Sequence, residues 1–231
     1  MENNEKNQNN EDFLQSLKKK YNRVETHAVR EYHPTQAKNA VQALGVALNG
    51  IYDIDVNNQH AITSLIMYFM GDKKFEQQAE GFNLKKGIAL IGKRGSGKTL
   101  LFNIFNLFNN ELTEGNEFTK IEMSEFVADY KNYSDGKIET LKQAVNDKNQ
   151  KNTIYLDNFA IEKILNPKDE STVVAELLLK RYELFTDHNV KTHLSTNVPD
   201  TKTLNHFYGD DVYERMQEMF NFIHLQGESR R

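Results

Sequence analysis

Apolar residues recur at helical intervals early in the chain and in strand-like runs later. Ala37, Val41, Leu44 and Leu48 fall about one turn apart, and Ile62, Leu65, Ile66, Phe69 and Met70 form a second stripe, so residues 34–75 read as helical. From Gly87 onward short apolar runs alternate with amphipathic segments, the signature of a parallel sheet with crossover helices. The runs predict strands near Ile88–Ile91, Thr119–Met123, Thr153–Leu156, Thr192–Ser195 and Phe220–Leu225. The segments between them predict helices near Lys98–Phe108, Ser124–Tyr130, Lys137–Asn146, Glu170–Phe185, Thr201–Phe207 and Val212–Met219. Asn166-Pro167 suits a cap followed by the first helical residue, which would start the fourth of these helices slightly earlier. The expected fold class is α/β: a five-stranded, mostly parallel, doubly wound sheet with helices on both faces, preceded by a small helical N-terminal region.

Residues 1–24 depart from both patterns. They are rich in Asn, Glu and Lys, with only Phe13, Leu14 and Leu17 apolar before Tyr21. Such a stretch cannot bury enough surface to offset its ordering entropy, so it reads as a flexible polar tail. The expected organisation is therefore a tail at 1–24, a helical region at 25–80 suited to packing on the next domain or docking a partner, and an α/β domain at 81–231.

Composition narrows the function. The 231 residues are 38% hydrophobic and 27% charged and contain no cysteine, which excludes disulfides and thiolate–metal sites. The seven histidines lack metal-ligand spacing, so no structural metal is expected. No apolar run approaches the roughly 20 residues that span a bilayer, and the N-terminus lacks the apolar core of a signal peptide. The expected location is the cytoplasm, without a membrane partner. A net charge of −4 means that nucleic acid would have to meet a local patch: Lys18-Lys19-Lys20, Lys85-Lys86 with Lys93-Arg94, or Arg230-Arg231. Each cluster also reads as an ordinary solvated face.

The chemistry lies in the α/β domain. Gly92-Lys93-Arg94-Gly95-Ser96-Gly97-Lys98-Thr99 fits the phosphate-loop pattern GxxxxGK[ST]. It follows the apolar run Gly87–Ile91 and leads into a helix carrying Leu100, Leu101, Ile104 and Phe105. Glycines let several backbone N–H groups face phosphate, and the following helix presents its positive end. The nucleotide-binding set is Gly92, Arg94, Gly95, Ser96, Gly97, Lys98, Thr99 and Leu100. Lys98 would reach the β- and γ-phosphates of ATP, and Thr99 would join the Mg²⁺ shell.

Ile154-Tyr155-Leu156-Asp157 is an apolar strand ending in a carboxylate, on the sheet edge where the phosphate loop opens, so Asp157 is the second Mg²⁺ candidate. Related P-loop ATPases place an acidic residue next, to polarise the attacking water; here it is Asn158. An amide orients water but cannot take its proton, which predicts slow hydrolysis with ATP acting more as a switch than a fuel. Glu162 is the reserve base. Asn197, with Thr196 second, is the candidate sensor of the γ-phosphate and water, and a simple turn before Pro199 is the alternative. Arg215 or Arg181 could neutralise transition-state charge in a neighbouring subunit, which would make the ATP-bound form a homo-oligomer; an exposed salt bridge is the alternative for either.

These segments together resemble the AAA+ ATPases of the bacterial DnaC/IstB type, which include replicative-helicase loaders and transposition helpers. The resemblance runs from about Phe82 to Arg231. It rests on Lys86–Gly92 leading into the phosphate loop, Glu122-Met123-Ser124-Glu125-Phe126, Leu156–Glu162, Arg181-Tyr182, Ser195-Thr196-Asn197, Tyr208-Gly209 through Glu214-Arg215-Met216, and Gly227–Arg231. Asn158 departs from the family's second acidic residue, and Ala160 from its glycine. The chain stops after the fifth strand, as in an AAA+ core without a lid, leaving Arg230 or Arg231 as the late arginine. The resemblance implies a replicative helicase as partner, gripped by residues 1–80, and contact with single-stranded DNA. Phe118, Phe126, Tyr130 and Tyr133, near Lys120 and Lys131, could stack its bases, although core packing is the alternative for Phe118 and Phe126. Two other functions stay open: a transposition helper on duplex DNA, and a nucleotide-binding adaptor with negligible turnover.

Overall fold

The computed structural model describes residues 33–112, 117–132, 153–166, 172–227 and 229. The chain divides into two compact units, Met1–Phe75 with Leu100–Glu117, and Glu76–Thr99 with Phe118–Arg231.

In the first unit, helices α1 (Pro34–Asn49) and α2 (Gln59–Phe69) lead to a 3₁₀ turn at Lys73–Gln77. Pro34 opens α1, where its missing N–H costs nothing. Ala37, Val41 and Leu44 are buried as the periodicity predicts, but Leu48, the fourth member of that stripe, is 45% exposed. Helix α3 (Lys98–Leu112) follows the phosphate loop, and its residues from Leu100 group with this unit. The ring of Phe105 stacks on Phe69, with centroids 5.3 Å apart.

The second unit holds a five-stranded sheet in the order β2 (Thr119–Glu122), β3 (Ile154–Phe159), β4 (Thr192–Thr196), β1 (Gly87–Ile91), β5 (Phe220–His224). Every pairing is parallel, so the sheet is all-parallel where the sequence suggested mostly parallel. β1 is buried at all five positions, as expected of an interior parallel strand. Among the described residues, five helices follow β2, β3 and β4 in the chain and belong to this unit: α4 (Met123–Asn132), α5 (Ile161–Leu165), α6 (Val173–His188), α7 (Thr201–Tyr208) and α8 (Asp210–Met219). Phe126, Leu177, Leu204 and Met216 from these helices share one core with Ala89, Leu156 and Leu194 from the sheet.

Local rules explain most of the boundaries. Val173, Val174, Leu177, Leu178 and Arg181 form the buried stripe of α6, and Asn189 ends that helix in the left-handed region (φ 56°). The Asp200 side chain caps α7 by accepting from the Thr203 backbone N–H at 2.8 Å. Asn166 corrects one expectation: it is the C-cap of the short helix α5, and α6 begins later, at Val173. The predicted helix Lys137–Asn146, the tail 1–24 and the late Arg230 and Arg231 lie outside the described residues. No described helix is long and apolar enough to cross a membrane.

Candidate functional site

Strand order determines which groups can meet. β4 lies between β1 and β3, so the residue after β4 emerges between the loop after β1 and the end of β3. Asn197 occupies that position. Its Oδ1 accepts from Lys98 Nζ at 2.7 Å, and its Nδ2 donates to Asn158 Oδ1 at 3.3 Å.

The phosphate loop needs its glycines. Gly95 and Gly97 adopt φ 83° and 97°, a region that side chains disfavour, and a Cβ at Gly95 would also collide with the Ser229 side chain. Ser96 is buried and Arg94 is exposed, while Leu100 is half-buried in the first turn of α3. Lys98 folds back on the loop, donating to Gly92 O at 2.7 Å and Lys93 O at 2.9 Å as well as to Asn197. Burial pushes its ammonium down to about 8, against the Asp157 charge that holds it up.

Asp157 is the centre of the polar cluster. Its Oδ1 accepts from the Thr99 hydroxyl at 2.9 Å, the Tyr155 hydroxyl at 2.5 Å, the Ser195 hydroxyl at 2.7 Å and the Asn158 backbone N–H at 3.1 Å. Its Oδ2 lies 2.8 Å from Lys120 Nζ. Burial alone would raise its pKa, but hydrogen bonds from Lys120, Tyr155 and Ser195 outweigh that and hold it below the usual carboxylate range. Tyr155 is pushed well up by burial and by the Asp157 charge, so it remains a donor. The Thr99 hydroxyl and Asp157 carboxylate form a pair of hard oxygen donors beside the phosphate loop. That fits Mg²⁺, which takes few protein ligands and completes its octahedron with phosphate oxygens and water.

The strand does not stop at Asp157. β3 runs on to Phe159 through a register shift between Leu156 and Phe159, and Asn158 and Ala160 both take left-handed backbone (φ 58° and 67°). Asparagine tolerates that region, whereas alanine there is strained. The turn re-aims the Asn158 side chain, which donates to Glu122 Oε1 at 2.9 Å.

Lys98, Thr99, Asp157, Asn158 and Asn197 therefore converge. Glu162 does not join them: it is buried on α5, and Oε1 accepts from the Tyr208 hydroxyl at 2.5 Å. Arg181 is 1% exposed, donating to Thr192 Oγ1 and Lys191 O, so it is a core residue and cannot reach a neighbouring subunit. Arg215 donates to Asp211 O at 2.6 Å and lies 5.6 Å over the Tyr182 ring on the surface of α8. Phe118 and Phe126 are buried, Phe118 against the rings of Tyr155 and His193, so neither can stack bases; Tyr133 lies outside the described residues.

Sequence reasoning missed Glu122 as a chemical group, and saw Lys120 only as part of a DNA groove. The available signal was their i, i+2 spacing beside Tyr155 and Asp157 on the neighbouring strand, with Lys120 opposite Tyr155 and Glu122 opposite Asp157.

A parallel sheet with this loop at the end of β1 and a carboxylate paired to its threonine defines a P-loop nucleotide-binding protein. Residues 88–205 match the model of the ATPase family associated with various cellular activities (AAA), and the chain belongs to that family. No curated protein matches the chain in sequence. Among solved structures, the chain is similar to the DnaC helicase loader (16% identity, TM-score 0.55, 78% of this chain and 96% of that one). It is also similar to DnaI (20% identity, TM-score 0.53, 80% and 89%). A third neighbour is a Streptococcus pyogenes serotype M3 protein proposed as a primosome component (18% identity, TM-score 0.53, 85% and 100%). At these identities the likeness is one of fold.

Proposed function

We propose that this chain binds ATP·Mg²⁺, hydrolyses it slowly, and uses the cycle to load or remodel a replicative helicase on single-stranded DNA. The Thr99–Asp157 pair beside the Lys98–Asn197 contact carries the nucleotide half of the reading. The fold-level likeness to the DnaC helicase loader, over most of both chains, supports the helicase half.

ATP would draw Lys98 from its loop carbonyls and from Asn197 to the β- and γ-phosphates. The Asn197 amide, freed from Lys98, would face the γ-phosphate and the attacking water together with Asn158. Thr99 and Asp157 would hold Mg²⁺, which neutralises phosphate charge when bound. Arg215, half-buried at the surface of α8, is the remaining described candidate for a group acting on a neighbouring subunit in an ATP-bound homo-oligomer. A second reading, a nucleotide-held adaptor without turnover, draws on the amide at Asn158.

The test is complex formation with the host's replicative helicase in ATP·Mg²⁺, with mass read by light scattering after size exclusion. We assign the grip to residues 1–80. A cut at residue 80 would strip Phe105 of its partner Phe69, so truncation is better placed at residue 32. Substitution of the exposed Val46, Ile51 and Val56 then covers the helical part. A complex with wild type that these changes abolish establishes the loader reading. No complex at micromolar concentration, with ATP binding intact, sinks it.

A further inference from the structure

Asn158 leaves the hydrolysis proposed above without a proton acceptor at the position where a carboxylate is expected. A carboxylate is present one strand away. β2 and β3 pair in parallel with Glu122 opposite Asp157, so Glu122 ends β2 on the same sheet edge. Registered residues of parallel strands point to the same face, which puts both carboxylates on one side of the sheet.

The side-chain contacts are specific. Glu122 Oε1 accepts from Asn158 Nδ2 at 2.9 Å and from the Ser124 hydroxyl at 3.2 Å, and Oε2 lies 3.7 Å from Lys120 Nζ. Asn158 then connects to Asn197, and Asn197 to Lys98, at 3.3 Å and 2.7 Å. A continuous polar path thus runs from the lysine that takes the γ-phosphate to Glu122. The Glu122 side chain is 23% exposed, so water can reach it. Glu162 is buried and engaged by Tyr208, and Asp157 is committed to Thr99, Tyr155 and Ser195.

We propose that Glu122 is the general base for ATP hydrolysis, the carboxylate missing at position 158 being supplied from the neighbouring strand. Asn158 is the positioning residue: its amide donates to the Glu122 carboxylate and holds it towards the attacking water. The water oxygen forms the new bond to the γ-phosphorus, and its proton passes to the Glu122 carboxylate. The bond from that phosphorus to the β,γ-bridging oxygen breaks, and its electron pair leaves on ADP. Glu122 then returns the proton to solvent. This inference rests on the hydrolysis reading and deepens it.

The test uses the full chain, with ATP affinity from calorimetry and hydrolysis from single turnovers. Glu122→Gln keeps an oxygen for Asn158 to donate to. It is expected to slow hydrolysis tenfold to several hundredfold, the upper part reaching the roughly hundredfold or more that a positioned base contributes, while ATP affinity stays within about threefold. An exchange variant, Glu122→Asn with Asn158→Glu, moves the carboxylate across the same hydrogen bond and is expected to recover at least tenfold over Glu122→Gln. If the exchange variant does not fold, the pH–rate profile decides: an acid limb present in wild type and absent in Glu122→Gln marks a base, and the same limb in both overturns the assignment. A loss under tenfold in Glu122→Gln, a matching loss of ATP affinity, or a folded exchange variant no faster than Glu122→Gln also overturns it. If wild type and exchange variant both bind ATP and neither turns it over, the hydrolysis reading itself falls, and the Glu122 assignment with it.

Discussion

The Lys120 ammonium lies 2.8 Å from Oδ2 of Asp157, on the oxygen left uncovered by the four donors that crowd Oδ1. A divalent ion entering at Asp157 must share that carboxylate with a positive charge or displace it. Burial works against the ammonium, but Asp157 and Glu122 more than compensate and raise its pKa, so it stays charged at neutral pH. Lys120 would thus compete with Mg²⁺ for Asp157 when nucleotide is absent.

Replacing Lys120 with Met is expected to lower by threefold or more the Mg²⁺ concentration that half-restores ATP affinity. The nucleotide-free protein should lose up to about 1 kcal/mol, because the lysine is partly exposed and its ion pair is screened. Calorimetric ATP titrations at stepped Mg²⁺, with thermal melts of the free protein, measure both. An unchanged Mg²⁺ midpoint would show that the lysine swings clear at no cost.

Much of the candidate site's composition was legible because its signals are local. Gly92–Thr99 is contiguous, its strand and helix flank it directly, and Asp157 and Asn197 each close an apolar run. The contacts of Lys120 with Asp157 and of Glu122 with Asn158 were not legible, because they depend on which strand lies beside β2, a pairing across more than thirty residues of chain. Helix α5 is only Ile161–Leu165, too short to show a period. Arg181 reads as a surface residue in isolation, since arginine is seldom buried, and pairing with Thr192 and Lys191 helps to explain its place in the core.

The two arginines should separate cleanly by mutation. Arg181→Met leaves the hydroxyl of Thr192 and the carbonyl of Lys191 without that donor, and a loss of about 2 kcal/mol or more is expected in denaturant unfolding. Arg215→Ala, on the surface, should cost less than about 1 kcal/mol. It should leave ATP binding intact while reducing turnover in the assembled form. Equal stability losses in the two variants would contradict this division.

His193 is expected to make the sheet acid-sensitive. Its Nδ1 accepts from the Ile88 N–H at 3.0 Å, and burial, then the Lys191 and Arg181 charges, pull its pKa from 6.5 to about 3. Between those values the unfolded chain binds a proton that the folded chain does not, so stability is full above pH 6.5 and falls as pH drops towards 3. From pH 7.5 to 5.5 the loss should be about 1 kcal/mol. In His193→Gln that dependence should largely disappear, as read from urea midpoints at the two pH values. Parallel losses in both proteins would assign the acid sensitivity elsewhere.

Asn197 distinguishes sensing from binding. In the free protein its Oδ1 holds Lys98, which also donates to Gly92 O and Lys93 O. In the proposed binding mode ATP would have to break the Asn197 contact before Lys98 reached phosphate, so this asparagine would compete with the ligand for the lysine. Asn197→Ala should therefore leave ATP affinity unchanged or tighten it a few-fold. Hydrolysis should fall tenfold or more, because the water loses one of the two amides that orient it. A residue that simply grips phosphate behaves oppositely, loosening ATP while a saturated enzyme turns over normally. Measuring affinity and single-turnover rate on the same preparation separates the two, and a tenfold loss of affinity with an unchanged rate would remove Asn197 from the chemical step.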